Sequence, residues 1–537
     1  MATPTPTSEE IHDERLVIDV IDDIAAKHPE RVWGSFPVSD SDLSAGFQDV
    51  TYRSLSHAID TAAFWLDSVL GEEDGDVFAF YGDRDFRQAI LAAAAAKTGR
   101  QFQFINAWSS ESAKLGLLSY TQCKVWIHTD TGRALASSLT KARHGLRAIE
   151  CLSQAELLES APEHPYPSRI TWEEAQDKTW IILHTTGSTG NPKPVRWTHK
   201  AFRSTDRFKR FKDFGESKIA MFQNQRLFQP LACAHSMGLV TSLDIVPSMN
   251  APMVIGPRDR MPTVSDIREI FKYGRVNGMY STPIFVKQLT EHDDLLAQLR
   301  SFAFVYYGGA KADRHWGDLL YKHTSVGPIF GSTETGHVHL RKLDGPDWHW
   351  YDFYAWEGVA FEEVKPGLFE MVFNRVPGQW QHAFSSHPDL DQYRTRDLWV
   401  RHPAKPTLWA YHGRADDFVM LTCGDGVDAP YLQEKLEACP AVQMAMVGGQ
   451  GKDRPWLLLE LKQSVTRQAN QGWVVDMFRV LDEINETLPY ITKISSKRII
   501  IASPDKPFAR TAKQALDRNK TVELYKDEIA ALDMATA

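Results

Sequence analysis

The 537-residue chain has no surplus of positive charge: 60 Lys and Arg are set against 69 Asp and Glu, a formal net charge of −9. That balance argues against a nucleic-acid-binding surface, because neither a basic block nor a high pI offers phosphates a counter-charge. Cysteine is scarce. Cys123, Cys151, Cys233, Cys423 and Cys439 are scattered without a C-x-x-C pair, which supports neither a disulfide framework nor a zinc site and suits a reducing compartment. No apolar run approaches ~18 residues, so no segment is expected to span a membrane. The opening MATPTPTSEE lacks the basic region and apolar core of a signal peptide. Internal repeats and low-complexity tracts are missing as well. What remains is 43% hydrophobic and 24% charged residues, the composition of an ordinary soluble globular protein, expected in the cytosol. The length demands two or more domains.

Along the chain, apolar residues recur at helical spacing over 16–26, and residues 47–70 read as a short strand followed by an amphipathic helix. Strands at 76–81, 101–105, 124–128 and 147–151 then alternate with helices, notably 86–97, stopped by Gly99, and 111–120. Strands separated by helices predict βαβ units and a parallel sheet. The alanine run at 92–96 reads as a tightly packed helix face. More buried strands are expected at 252–256, 277–281, 302–307 and 326–330. Residues 348–380 are aromatic, alternating and turn-punctuated, which predicts an antiparallel β subdomain with its Trp and Tyr in the core. From about His412 the pattern becomes a small separate domain, with strands at 418–422, 442–448, 456–461 and 497–501 and helices near 430–438 and 473–487. The expected class is α/β: a large domain, 1–412, of parallel sheets with the antiparallel subdomain, then a small α+β domain, 413–537.

One stretch organises the rest. Residues 180–200, WIILHTTGSTGNPKPVRWTHK, open as a buried strand and run into Thr185, Thr186, Gly187, Ser188, Thr189 and Gly190, with Lys193 closing the loop. Glycines admit a ligand close to the backbone, and consecutive N–H and hydroxyl donors can cradle phosphate oxygens. The spacing is not that of a G-x-x-x-x-G-K-[ST] loop. It resembles the phosphate loop of the adenylate-forming superfamily, [ST]-[ST]-G-[ST]-T-G-x-P-K. Further motifs similar to that family follow in order: YYGGAK (306–311), FGSTETG (330–336), YRTRDL (393–398), GRADD (413–417) and PFARTAKQALDR (507–518).

The resemblance implies ATP-dependent activation of a carboxylic acid. By that likeness the loop and Lys193 hold phosphates, while Gly309 and Ala310 flank the adenine and the acyl pocket. Gly331, Ser332 and Thr333 contact the adenine, and Glu334 helps hold Mg²⁺, since a hard cation bridging phosphates wants a carboxylate oxygen. Asp397 accepts from the ribose hydroxyls, and Arg414 contacts the nucleotide. Asp416 is the hinge that makes the small domain mobile. Lys513, carried by that domain, stabilises the anionic transition state. His235, in LFQPLACAHSMGLV (227–240), is a third candidate catalytic residue, at a position where the family often has an aromatic or His. Arg396 stands where the ribose motif usually has Gly, so the backbone there must avoid or tolerate positive φ.

Within the superfamily, GSTGNPKP-x-x-WTH, HPAKPTLWAYHGRADD and LPYITKI-x(17)-RTAK resemble fungal non-ribosomal-peptide-synthetase-like carboxylic acid reductases. That implies a carrier domain bearing phosphopantetheine as acceptor. No carrier motif occurs in the chain, so an excised domain or a stand-alone acyl- or aryl-CoA ligase are both open. A degenerate binder without turnover is disfavoured by the intact Lys193, Glu334, Asp397 and Lys513. The stretch 227–240 has no Asp to pair with an α-ammonium, which favours an aryl, keto or betaine-type acid, with Met237, Met279, Tyr280, Tyr307 and Ser332 as candidate pocket walls by position. The loop CGDGVDAP (423–430) departs from the family's N-G-E-K-V-N-P by losing its basic residue at Gly426, which bears on the thioester step. A monomer is expected.

Overall fold

The computed structural model describes residues 14–105, 109–185, 193–230, 236–309, 312, 314–415, 419–421, 426–462, 472–488, 492–511 and 515–534. The chain divides into two compact units, residues 1–359 with 373–393, and residues 360–372 with 394–537.

The first unit holds two large sheets. One runs in the order Arg147–Glu150, Val125–His128, Val77–Tyr81, Gln101–Phe104, Thr179–Thr185 and Lys193–Thr198. Its first five strands pair in parallel and the last pairs antiparallel to its neighbour. The other is ordered Ser325–Pro328, Phe304–Tyr307, Gly278–Ser281, Leu227–Phe228, Met253–Val254, Val32–Pro37 and Phe47–Thr51; its last strand alone is antiparallel. The expected βαβ alternation is present. The central strands read as continuous apolar runs because helices cover both faces, and Val125–His128, Gly278–Ser281 and Phe304–Tyr307 are buried at every position.

Helix Arg87–Thr98 carries the alanine run, and all of its residues are buried. Alanine loses no side-chain entropy in a helix and lets neighbours approach to backbone distance. Its two buried cations are paired: Arg87 with Asp83 and Asp85, both at 2.7 Å, and Lys97 with Asp60 at 2.6 Å. Burial without such partners would cost several kcal/mol each. Gly99, at φ +72°, ends the helix in the left-handed region, where a side chain is disfavoured.

The aromatic stretch differs from its expected form. The long antiparallel strands begin only at Val359–Lys365 and Leu368–Asn374. The sheet is continued by Gln392–Arg401 and Leu408–Arg414, which lie beyond the expected range. Before them, Gly345–Asp347 and Ala355–Glu357 form short turns of helix, with only the two-residue strand Tyr351–Asp352 between them. Their aromatics are drawn into the first unit's core, where Trp348 packs on Trp316 and Tyr354 on Phe208. Core burial of large rings overrides the alternation that suggested strand.

In the second unit, Val442–Gly448 and Trp456–Leu461 pair antiparallel, and Ile499–Ile501 adds in parallel. Helices Ala429–Glu437 and Gly472–Thr487 belong to the same unit, and Leu432, Leu436, Met477 and Leu481 share one apolar core. Among the described residues, no helix is long and apolar enough to cross a membrane.

Candidate active site

Strand Thr179–Thr185 leads into the stretch read from sequence as a phosphate loop and Lys193–Thr198 leads out, with Thr185 opposite Lys193 across the antiparallel pair. Thr186, Gly187, Ser188, Thr189 and Gly190 lie outside the described residues. Lys193 is exposed. Both flanking strands are pinned by tryptophan. The Trp180 indole donates to the Ala92 carbonyl at 2.7 Å, and the Trp197 indole donates to the Thr333 carbonyl at 2.8 Å. A buried indole N–H demands an acceptor. Here the acceptor it finds joins the strand leaving the phosphate loop to the Glu334 motif.

That motif is a tight hairpin: Phe330–Ser332 pairs with Gly336–Val338. Ser332 and Thr335 hold the turn through reciprocal bonds, each backbone N–H donating to the other's hydroxyl at 3.1 Å. Its two glycines are sterically required. A Cβ on Gly331 would meet the Gly336 carbonyl at 2.4 Å, and one on Gly336, itself at φ +65°, would meet the His382 ring at 2.1 Å. Glu334 sits at the tip, half-buried, and makes no hydrogen bond or ion pair among the described residues. An uncommitted carboxylate fits one ligand of Mg²⁺, which keeps several waters and takes one or two carboxylates together with phosphate oxygens. Among the described residues no three His, Cys, Asp or Glu form a protein-only metal cluster.

Gly308 and Gly309 follow the carboxyl end of the parallel strand Phe304–Tyr307, the edge where open α/β sheets bind ligands. A Cβ on Gly308 would lie 2.8 Å from the Tyr280 hydroxyl, and Gly309 has φ +85°. Ala310 and His235 lie outside the described residues.

In the second unit Asp397 and Arg414 are register partners on adjacent strands, with Arg414 Nη1 donating to Asp397 Oδ1 at 3.0 Å. The Asp397 N–H donates to Thr395 Oγ1 at 3.0 Å, and that hydroxyl donates to the Met371 carbonyl at 2.8 Å. Asp397 is 8% exposed, so its direction is fixed by its own backbone rather than by solvent. The residue before it settles the Arg-for-Gly question. Arg396 takes φ +61°, and its N–H donates to Glu370 Oε1 at 3.2 Å. The backbone therefore keeps a glycine-like conformation with a long side chain on it, at a strain of about 1–2 kcal/mol.

Asp416 and Lys513 lie outside the described residues. On either side of Lys513, Arg510 bridges Leu516 antiparallel, and Arg510 pairs with Glu460 at 2.6 Å. Gly426, which replaces the basic residue, opens the strand Gly426–Val427.

Sequence reasoning missed a buried polar cluster behind the Glu334 hairpin. His337, His339 and His382 line a cavity of about 30 Å³ together with Glu357 and Trp356, room for about one water. His339 Nδ1 lies 2.6 Å from Glu357 Oε1, while His337 Nδ1, His339 Nε2 and His382 Nδ1 have no partner among the described residues. Burial, with the neighbouring imidazole of His339, pushes His382 down to about 3; it also pushes His337 well below the usual imidazole range. The H-x-H spacing at 337 and 339 was a legible signal. Glu357 and His382, remote in sequence, were not.

The family model described as AMP-binding enzyme matches residues 21–353, and the one described as AMP-binding enzyme C-terminal domain matches 416–535. The chain belongs to the AMP-binding enzyme family. This AMP-binding enzyme is 26% identical over 527 residues to the isocyanide synthase-NRPS hybrid crmA of Aspergillus fumigatus, covering 96% of the chain and 33% of that protein. It is 27% identical over 532 residues to a carboxylic acid reductase of Neurospora crassa, covering 96% of the chain and 50% of that protein. The chain thus spans a third to a half of the length of these curated relatives. Among solved structures, O-succinylbenzoate coenzyme A synthetase from Bacillus subtilis in complex with AMP is similar at a TM-score of 0.68 and 18% identity, over 93% of the chain and 97% of that structure. ATP-bound MatB from Rhodopseudomonas palustris gives 0.70 and 16%, over 95% and 99%. At such identities the likeness shows the fold, which is that of adenylate-forming enzymes.

Proposed function

We propose that the chain uses ATP to activate a carboxylic acid as acyl-AMP and then passes the acyl group to a phosphopantetheine thiol on a carrier domain, as the first module of an NRPS-like carboxylic acid reductase. The observation that carries this reading is the Trp197–Thr333 bond. It ties the strand leaving the phosphate loop to a hairpin whose tip presents an uncommitted carboxylate, Glu334. Similarity over 96% of the chain to a carboxylic acid reductase supports the choice of module.

In the first step an oxygen of the acid attacks the α-phosphorus of ATP. A new P–O bond forms, the bond to the bridging oxygen of pyrophosphate breaks, and pyrophosphate leaves. Lys193 and the phosphate-loop donors orient the β- and γ-phosphates, and Asp397 with Arg414 holds the nucleoside. Mg²⁺, held by Glu334 and phosphate oxygens, would supply charge neutralisation on the leaving group. Lys513 adds an ammonium to the crowded anionic transition state. In the second step a thiolate attacks the acyl carbon; the C–S bond forms as the C–O bond to AMP breaks. Two orientations of a domain 413–537 on a domain 1–412, pivoting at Asp416, would serve the two steps in turn. The absence of Asp from residues 227–240 supports an acid without a free α-amine. The acidic composition and the buried thiols of Cys123, Cys151 and Cys439 support a cytosolic enzyme, read here as a monomer.

The test is pyrophosphate release over a panel of aryl, keto, betaine and α-amino acids, followed by acceptor assays with a carrier domain and with coenzyme A. Release with no acid of the panel overturns adenylation. Transfer to coenzyme A but not to a carrier replaces the reductase module with a CoA ligase.

A further inference from the structure

A second cleft lies on the first unit. It measures about 490 Å³ and is lined by Arg31, Arg226 and Arg275, with Asp49, Asn224 and Asn250. It sits at the amino ends of three neighbouring parallel strands: Arg31 precedes Val32–Pro37, Arg226 precedes Leu227–Phe228, and Pro252 precedes Met253–Val254, which lies between them. The adenylation motif at Gly308 and Gly309 follows the carboxyl end of a strand in the same sheet. The two sites are therefore at opposite edges.

Charge and backbone both set this cleft apart. Its lining carries three guanidiniums against the single carboxylate of Asp49, in a chain whose net charge is −9. Asp49 pairs with Arg226 at 2.5 Å and Arg275 at 3.2 Å, so one anion is shared between two cations. The Arg31 guanidinium makes no hydrogen bond or ion pair among the described residues. Arg226 is oriented from behind, its Nε donating to the Gly274 carbonyl at 2.6 Å. Five non-glycine residues among those described have positive φ, and three of them line this cleft: Asn224, Asn250 and Arg275. Asn250 caps the helix Val246–Met249 and Asn tolerates that conformation. Arg275, at φ +54°, has no such excuse, since a long side chain is disfavoured there.

We propose that this cleft is a second anion site that takes a small phosphate-bearing molecule. Planar guanidinium forks match phosphate oxygens two at a time, and a concavity of this sign concentrates anions. Its volume of about 490 Å³ falls in the range of small-molecule sites.

The test is calorimetric titration of the full chain with pyrophosphate, and separately with inorganic phosphate and a sugar phosphate, at constant ionic strength. A saturating non-hydrolysable ATP analogue keeps the phosphate loop occupied. One equivalent of a phosphate probe is expected to bind, with the strongest of the three probes identifying the ligand type. The double variant Arg31→Gln/Arg275→Gln should weaken that binding about tenfold or more, as loss of charge-assisted bonds implies, without changing adenylation. Arg275→Gln alone, at a side chain 71% exposed, keeps the test open should the double variant fold poorly. Binding that vanishes when the analogue is present, or equal affinity in wild type and variants, overturns the proposal. Arginine-dependent binding of polyglutamate with none of the phosphate probes would make the cleft a protein-docking surface and overturn it too.

Discussion

Substituting His382 by Gln removes one of the three imidazoles behind the Glu334 hairpin and leaves a polar side chain of similar reach. In the folded protein His382 is 5% exposed, packs on Trp197 at 4.3 Å, and is pushed down to about 3 by burial. In the unfolded chain it returns to ~6.5. Because the folded value is the lower one, its contribution to stability is complete above the unfolded value. It is lost as pH falls from ~6.5 toward the folded value, since only the unfolded chain takes up the proton. Each pH unit in that window costs about 1.4 kcal/mol, so moving from pH 7 to pH 5 costs about 2 kcal/mol at this one residue. The variant lacks that term, whereas every other titrating group is common to both proteins. Urea unfolding at the two pH values gives the comparison. The wild-type advantage over His382→Gln at pH 7 should shrink by about 2 kcal/mol at pH 5. A gap that stays constant would mean that His382 is solvated or already protonated when folded. A gap that widens would reveal an anionic partner and reverse the sign of the argument.

Lys513→Ala should abolish acyl-adenylate formation in a pyrophosphate-release assay, at a cost of ~3–4 kcal/mol in transition-state stabilisation, while ATP affinity stays nearly unchanged; activity within a few-fold of wild type removes Lys513 from the mechanism. Asp397→Ala should raise the KM for ATP far more than it alters preference among acids, because ribose binding is uniform between ground and transition states. An altered acid preference with an unchanged KM would refute the ribose assignment. Asp416→Pro, with φ fixed near −65°, should leave pyrophosphate exchange in place while acyl transfer falls about tenfold or more; equal loss of both steps would indicate misfolding instead. Arg396→Gly should stabilise the protein by about 1 kcal/mol, read from thermal unfolding, by releasing the strain of φ +61°. Loss of stability would show that the arginine side chain contributes more than its backbone costs.

Much of the fold was legible because its signals were local. The strands 442–448 and 456–461, and the helix 111–120, fall where hydrophobic periodicity placed them. Gly99 stops its helix for the reason its residue type suggested. Misreading came where tertiary demand outweighed pattern. The rings of Trp348 and Tyr354 alternate like a strand but are claimed by an existing core, while Gln392–Arg401, a ten-residue strand, carries charges at four positions and gave little hydrophobic signal. The motifs proposed to mark the site were legible as chemistry. What they rest on was not, because the Trp197–Thr333 bond joins residues 136 apart and the His337–His382 neighbourhood depends on two separate segments meeting. Sequence order named the Arg396 substitution, and only the backbone showed that the chain bears it at positive φ.

The alanine helix acts as a gauge. Ala92 through Ala96 are each 0% exposed, and Ala92 receives the indole of Trp180, which stands on the strand that enters the phosphate loop. Since the helix is enclosed on all sides, an added methyl has no open side to turn toward and must push something, at about 1–3 kcal/mol. A displacement taken up by Trp180 is handed along its strand to the segment opposite Lys193. If that segment binds phosphate as proposed, residues that touch no ligand set the tolerance to which it is assembled, and Ala→Val at 92–96 would register as lost catalytic alignment before it registered as lost fold.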